Sequence, residues 1–382
     1  MKRIAIAPNS FRGSISAFEA AKAIAEGLRR VWPAAEMVEL PIADGGEYTV
    51  EVLRHYLGGE TRQATVTGPL GEPVSAKWAL AGDGKTAFIE MSAASGIRLL
   101  KREQLNPMIT TTYGTGELIH EAIRAGCARI VLALGGSATV DGGAGCLQAL
   151  GVRLLDEHGK AIGRGGGSLG KLAHIDLGEV PAEVRAASFE LICDVDNPLV
   201  GPDGAARVFG PQNGATAEMV EQLEKNLAHF AEVMRAELGV EAGQARHGGA
   251  AGGISAGLYG TLGAHLAEGA ELIFELIGFQ ERIKGCDLAI TAEGKLDRQT
   301  LYGKAPLAVA RAARQAGIPV VALPGQVEPE AAQALGEVFD AILPIVDRPM
   351  GLDAAIAATA RLLGDAAERA GRLIAMGERG GR

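Results

Sequence analysis

Cysteine, histidine and aromatic residues are scarce in this chain, and no stretch of it is uniformly basic or uniformly apolar. The four cysteines, Cys127, Cys146, Cys193 and Cys286, stand far apart without C-x-x-C spacing. That excludes a zinc ribbon and gives no disulfide framework, so they read as buried free thiols. The seven histidines are equally scattered and include no H-E-x-x-H, so none reads as a metal ligand. No apolar run reaches the roughly 18 residues of a membrane span, and the apolar segment after Met1-Lys-Arg is too short for a signal peptide. A cytoplasmic, non-membrane protein is the expectation. The net charge is −9, with no basic stripe to follow a phosphate backbone, which argues against nucleic-acid binding. A small anion can still be held, because a pocket needs only local positive charge and backbone N–H groups.

What the chain has in excess is glycine, 54 of 382 residues, without a collagen period. Hydrophobic residues make up 47% and charged residues 22%, the balance of an ordered globular protein able to bury a large core. The glycines therefore serve tight turns and close backbone approaches.

Both ends of the chain alternate strand and helix. Arg3 to Ala7 reads as a strand, Ser16 as the cap of a helix with Glu19 at its third position, and Glu36 to Leu40 as the next strand. The first helix places Ala20, Ala23, Ile24, Gly27 and Leu28 on one face, and a second presents Val50 and Leu53. From about Thr61 short strands separated by Gly-Pro and Gly-Asp-Gly turns suggest a meander. Strands at 129–133 and 189–193 follow. Gly163 to Gly170 reads as a flexible loop and Ala215 to Leu238 as a surface helix. From Asp287 the alternation resumes, with a strand at 288–291 and a final helix starting near Asp353. The fold class expected is α/β: a doubly wound, mostly parallel sheet domain built from residues 1–62 and 287–382, with a second, mixed-sheet α/β domain, 63–286, inserted.

Several loops carry chemistry. Pro8-Asn-Ser-Phe-Arg-Gly-Ser-Ile-Ser16 can form an anion nest, with Asn9, Ser10 and the Arg12 fork as contacts. Asp44-Gly-Gly-Glu47 brings a carboxylate to a strand end, suited to Mg²⁺ or a substrate hydroxyl, or to an ordinary turn. Gly135-Gly-Ser-Ala-Thr-Val-Asp-Gly-Gly143 lacks both the Walker A spacing and its lysine, yet its small residues let backbone wrap a charged group, with Ser137 and Asp141 as polar contacts. Asp194-Val-Asp196 is a carboxylate pair on one side of an extended backbone, able to share a cation or divide base and metal duties. Gly248 to Gly257 is either close helix packing or a nucleotide-facing loop. Glu293, Lys295, Asp297, Gln299 and Lys304 gather in a stretch whose lysines suit phosphates and whose acids hold a metal or orient the lysines.

These segments together resemble the type I glycerate kinase family. The stretches that carry the resemblance are Ala7-Pro-Asn-Ser-Phe-Arg-Gly-Ser, Pro41-Ile-Ala-Asp-Gly-Gly-Glu, Thr111-Thr-Tyr-Gly-Thr-Gly-Glu-Leu-Ile119, Leu134 to Gly143, Cys193-Asp-Val-Asp-Asn-Pro-Leu199, Phe209-Gly-Pro-Gln212 and Ala292 to Thr300. The resemblance implies ATP- and Mg²⁺-dependent phosphorylation of D-glycerate, usually at the 2-hydroxyl, by two α/β domains with the active site in the cleft between them. Three positions depart from it: Asn9 stands where the family usually has Asp, Arg12 where it has Lys, and Val140 where it has Asn.

On that reading Asp194, Asp44, Arg12 and Lys295 are the catalytic candidates. Asn9, Ser10, Ser137, Asp141, Asp297, Gln299 and Lys304 are the substrate and phosphate contacts, and Asp196 and Glu293 the metal ligands. Phosphorylation at the 3-hydroxyl, or of a related hydroxy acid, is the neighbouring alternative. A dehydrogenase would want G-x-G-x-x-G and a general-acid histidine, both missing. A non-catalytic sensor would need an effector module, and none is visible. Monomer and homodimer stay open.

Overall fold

The computed structural model describes residues 1–46, 48–302 and 304–380. The chain divides into two compact units, Met1–Val52 with Gly269–Arg382, and Leu53–Glu268. The first boundary falls before the strand Gly59–Thr67, which pairs along its whole length with Pro73–Ala81. The second follows the strand His265–Glu268, which pairs with Ser188–Cys193. Both divisions therefore lie earlier in the chain than residues 62 and 286.

The first unit holds a five-stranded sheet in the order Ala341–Ile342, Val320–Val327, Leu288–Leu296, Arg3–Pro8, Glu36–Glu39. All four pairings are parallel. Its central strands are buried on both faces: Ile4, Ile6, Leu288 and Ile290 enter one core, while Ala5, Ala7 and Ala289 are buried on the other side. The helix Ala17–Arg29 opens on the expected capping box, Ser16 Oγ accepting from Glu19 N–H and Glu19 Oε2 accepting from Ser16 N–H. Its predicted apolar face is buried. Gly27 is required there, because a β-carbon would lie 2.1 Å from the carbonyl oxygen of Gly364 on the C-terminal helix Thr359–Gly380. In the helix Thr49–Leu57, Val52 and Leu53 are buried, and Val50 only partly so.

Two expectations for this unit are corrected. The strand expected to end at Thr291 runs on to Leu296, because its neighbour Val320–Val327 keeps pairing as far as Leu296↔Val327. The final helix is split, Leu352–Ala357 followed by Thr359–Gly380.

The second unit holds a six-stranded mixed sheet in the order His265–Glu268, Ser188–Cys193, Arg129–Ala133, Thr86–Glu90, Pro73–Ala81, Gly59–Thr67. The first four strands are parallel and the last two pairings form the antiparallel meander. Trp78, Ile89, Leu118, Leu132, Leu191 and Phe230 belong to its core. The helix Ala217–Leu238 is capped by Thr216 Oγ1 and buries Leu223, Leu227, Phe230 and Met234. Residues 163–170 are not a flexible loop. A 3-10 turn, Gly166–Lys171, packs there, with Gly166 O accepting from Asn226 Nδ2 at 2.8 Å. The glycines permit it, since a β-carbon on Gly166 would meet the Val140 carbonyl oxygen at 2.1 Å. All four cysteines are free and buried. Among the described residues no helix is long and apolar enough to cross a membrane.

Candidate active site

In the first unit, parallel pairing sets the geometry. Arg3–Pro8 and Leu288–Leu296 are adjacent, with Pro8 opposite Ala292, so the loop from Asn9 to Arg12 and the residues from Glu293 onward emerge side by side. Asn9 N–H donates to the Ala292 carbonyl at 2.8 Å. Leu40 and Ile42 N–H donate to the carbonyls of Ile6 and Pro8, which carries the chain past the strand Glu36–Glu39 and delivers Asp44 to the same sheet edge. This is the carboxyl end of an open parallel sheet, where such folds place ligands.

Four carboxylates, Asp44, Glu293, Asp297 and Glu328, and three cations, Arg12, Lys295 and Lys304, gather at this edge. Asp44 Oδ2 accepts from Asn9 Nδ2 at 3.2 Å and from Ala305 N–H, at the start of the helix Ala305–Gln315, at 3.5 Å. Asp297 lies between two lysines, 3.5 Å from Lys295 Nζ and 3.6 Å from Lys304 Nζ. Lys295 also meets Glu328 at 3.1 Å, and that contact raises its pKa above the usual lysine range. Glu293 is the most perturbed group. Its Oε2 is buried with no hydrogen-bond partner. Burial first, and then the Asp44 carboxylate, push its pKa up to about 8, against the opposing pull of Lys304 and Arg12.

Asn9 now has a local explanation. Its Oδ1 accepts from Ser10 N–H at 2.8 Å, which turns Nδ2 toward Asp44. An ionised aspartate at this position would instead set two carboxylates against each other. Arg12 is exposed and Ser10 partly so. The side chain of Gln299, together with Glu47 and Gly303, lies outside the described residues.

The second unit holds Ser137, Asp141, Asp194 and Asp196. Asp141 is fully buried and serves the interior. Its oxygens accept from Thr112 N–H and Oγ1, both at 2.9 Å, from Gly143 N–H at 3.1 Å and from Gly145 N–H at 3.3 Å. The carboxylate thus sits at the start of two helices, Tyr113–Arg124 and Ala144–Ala149. Burial raises its pKa, and these four donors oppose the shift. Val140 points into the core and is 0% exposed, so an apolar residue is at home there. Ser137 is buried, and Thr139 Oγ1 is buried without a partner.

Gly248 to Gly257 resolves as close packing against this loop. Gly252 has a left-handed backbone, φ 72°, its carbonyl accepts from Gly142 N–H at 3.0 Å, and a β-carbon on it would stand 1.9 Å from the Thr139 oxygen. Asp194 is partly exposed at the end of the strand Ser188–Cys193. Asp196 Oδ1 accepts from Arg246 Nε at 3.1 Å and lies 3.4 Å from His247 Nδ1. Sequence reasoning passes over Arg246 and His247 because neither stands in a spaced motif; their place directly before the glycine run is the one available signal.

Comparison with known proteins agrees with this arrangement: residues 4–375 match the model of the glycerate kinase family. The chain belongs to that family. It is 47% identical to a glycerate kinase of Halalkalibacterium halodurans over 98% of each chain. It is 45% identical to the glycerate 2-kinase of Escherichia coli over 92% of this chain and 93% of that one. A crystal structure of a protein assigned as glycerate kinase 2 from Salmonella typhimurium LT2 superposes with a TM-score of 0.86 at 40% identity, covering 99% of both chains. All seven stretches that carry the resemblance fall inside the family match. In this family member the sequence-predicted contacts separate into two sets. Asn9, Ser10, Arg12, Asp44, Glu293, Lys295, Asp297 and Lys304 belong to the first unit, and Ser137, Asp141, Asp194 and Asp196 to the second.

Proposed function

We propose that this chain transfers the γ-phosphoryl group of ATP to D-glycerate at the 2-hydroxyl, giving 2-phosphoglycerate and ADP. The observation that carries the reading is the sheet-edge cluster of Arg12, Lys295 and Lys304 with Asp44, Glu293 and Asp297, in a chain of the glycerate kinase family. Phosphoryl transfer needs alignment and charge neutralisation more than covalent chemistry, and cations held by acidic neighbours supply both.

In this reading Asp194 orients the substrate hydroxyl and accepts its proton. Arg12 and Lys295 hold the glycerate carboxylate and the transferring phosphate, and Lys304 holds the ATP phosphates. Asn9, through Asp44, keeps the strand-end carboxylate aimed. Ser10, Ser137 and Gln299 are further contacts, while Asp141 shapes the glycine loop from inside.

The residues present fit a magnesium ion at Glu293. Its buried Oε2 lacks a partner, and the neighbouring Asp44 adds a second hard oxygen donor, while Asp297 is already held by Lys295 and Lys304. Among the described residues no three acidic, histidine or cysteine side chains form a ready-made cage. That suits an ion taken up with one or two carboxylates and the substrate's own phosphates. Asp196 fits less well, since Arg246 already neutralises one of its oxygens. Magnesium, when bound, offsets the charge on the phosphate oxygens.

ADP release measured with D-glycerate, L-glycerate, glycerol and no acceptor tests the function, and NMR of the product identifies the phosphorylated oxygen. Turnover dependent on D-glycerate is expected. Asp194→Asn lowers kcat by about two orders of magnitude or more, and wild-type turnover in that variant removes Asp194 from the mechanism.

A further inference from the structure

The middle of the loop Asp194-Val-Asp196-Asn-Pro198, from Val195 to Asn197, is splinted by the segment from Arg246 to Gly249. Arg246 bonds Asp196 and, with the same guanidinium, Glu268. His247 N–H donates to the Asp196 carbonyl at 3.4 Å, and Gly249 N–H donates to the Asn197 carbonyl at 2.8 Å. Between them, His247 Nδ1 lies 2.7 Å from the Val195 carbonyl oxygen. A carbonyl can only accept, so Nδ1 carries the proton in this contact.

His247 is held in an unusual state for that contact. Its backbone is left-handed, φ 68°, a region that a β-carbon disfavours. Its side chain is only 7% exposed. Its carbonyl is tied down by Ser255 Oγ at 2.6 Å. Many of the chain's left-handed positions are filled by glycine. A histidine kept at such a position, with its imidazole on the peptide between two aspartates, points to a task for the side chain.

We propose that His247 is a positioning residue for the phosphoryl-transfer reaction: its Nδ1–H, held on the Val195 carbonyl, fixes the peptide linking Val195 to Asp196 and thereby aims the carboxylates of Asp194 and Asp196. The inference rests on Asp194 being the proton-accepting group. The imidazole touches no reacting atom in this role. It holds the loop that presents the acids, and a misplacement of about 1 Å in such a loop costs roughly 100-fold in rate.

Three substitutions separate side chain from backbone. Asparagine tolerates the left-handed backbone, and its Nδ2 stands where Nδ1 stood. Glutamine keeps a β-carbon, but its amide reaches past that point. Glycine relieves the backbone and removes the donor. We expect H247N to keep kcat near wild type, and H247Q and H247G to lose about 100-fold in kcat with KM for ATP little changed. Amide hydrogen exchange of residues 194–197 is expected to quicken in H247Q and H247G and to stay slow in H247N. Equal turnover in H247N and H247Q, or unchanged exchange in H247G, overturns the proposal. Wild-type turnover in D194N, with exchange still quickened in H247Q, overturns the assignment of Asp194 and leaves the splint itself measured, so the two failures are distinct.

Discussion

Glu293→Gln tests the electrostatics of the sheet-edge cluster without recourse to activity. Glu293 shifts from an ordinary 4.5 to about 8 in the folded chain, because its carboxyl is buried and faces Asp44. A carboxyl raised in this way binds an extra proton in the folded state between those two values. The stability it contributes is whole below about 4.5 and is lost as the pH rises through about 8. Each pKa unit corresponds to about 1.4 kcal/mol, so between pH 5 and pH 8, with partial titration at both ends of that range, the folded state loses about 3–4 kcal/mol from this group. Glutamine keeps the shape of the protonated acid and does not titrate. The assay is thermal unfolding of both proteins from pH 5 to 9, in chelator and without nucleotide. At pH 5 the two midpoints should nearly coincide. By pH 8 the variant should unfold on the order of 10 °C higher, given about 2–4 °C per kcal/mol for a unit of 150–250 residues. A gap between the two proteins that stays constant across that range refutes the reasoning, for it would mean that Glu293 is already ionised at pH 5. Adding magnesium at pH 8 should narrow the gap, since a cation offsets the same repulsion that the amide removes.

Asp141→Asn removes charge from a site with four donors and turns an amide N–H toward some of them, so we expect a loss of about 3–5 kcal/mol by denaturant unfolding. Gly252→Ala places a β-carbon against the Thr139 carbonyl in a left-handed backbone and should cost more than about 2 kcal/mol, or give insoluble protein. Ser16→Ala breaks the capping box and should cost about 1 kcal/mol, with turnover unchanged.

How much of this was legible beforehand varied with the range of the interactions. The helix at Ser16 was readable because a capping box is a contact between residues three apart, and its buried stripe follows from the 3.6-residue period. The parallel sheet of the first unit was readable in kind from strand–helix alternation at both ends of the chain. The length of the strand Leu288–Leu296 was not, because Glu293 and Lys295 look like loop residues until the neighbouring strand is known to run beside them. The segment 163–170 misled for the same reason: its glycines signal mobility in isolation, and close packing once Val140 and Asn226 are in place.

The candidate site divides along the same line. Sequence alone determined the chemistry on offer: acids and lysines at strand ends, hydroxyls and glycines in the loops, and an ordered set of motifs specific enough to name a family. Only the tertiary structure decided which atoms meet. It turned Asp141 inward onto two helix starts, gave Asn9 the task of holding Asp44, set Asp297 between two lysines, and left one Glu293 carboxyl oxygen buried beside another carboxylate. It also brought His247 onto the Val195 carbonyl across 52 residues of chain. Burial and pairing over such separations depend on how the sheets stack their strands, and a pKa depends on the sum of desolvation and nearby charge. Neither quantity is a property of any local stretch of sequence.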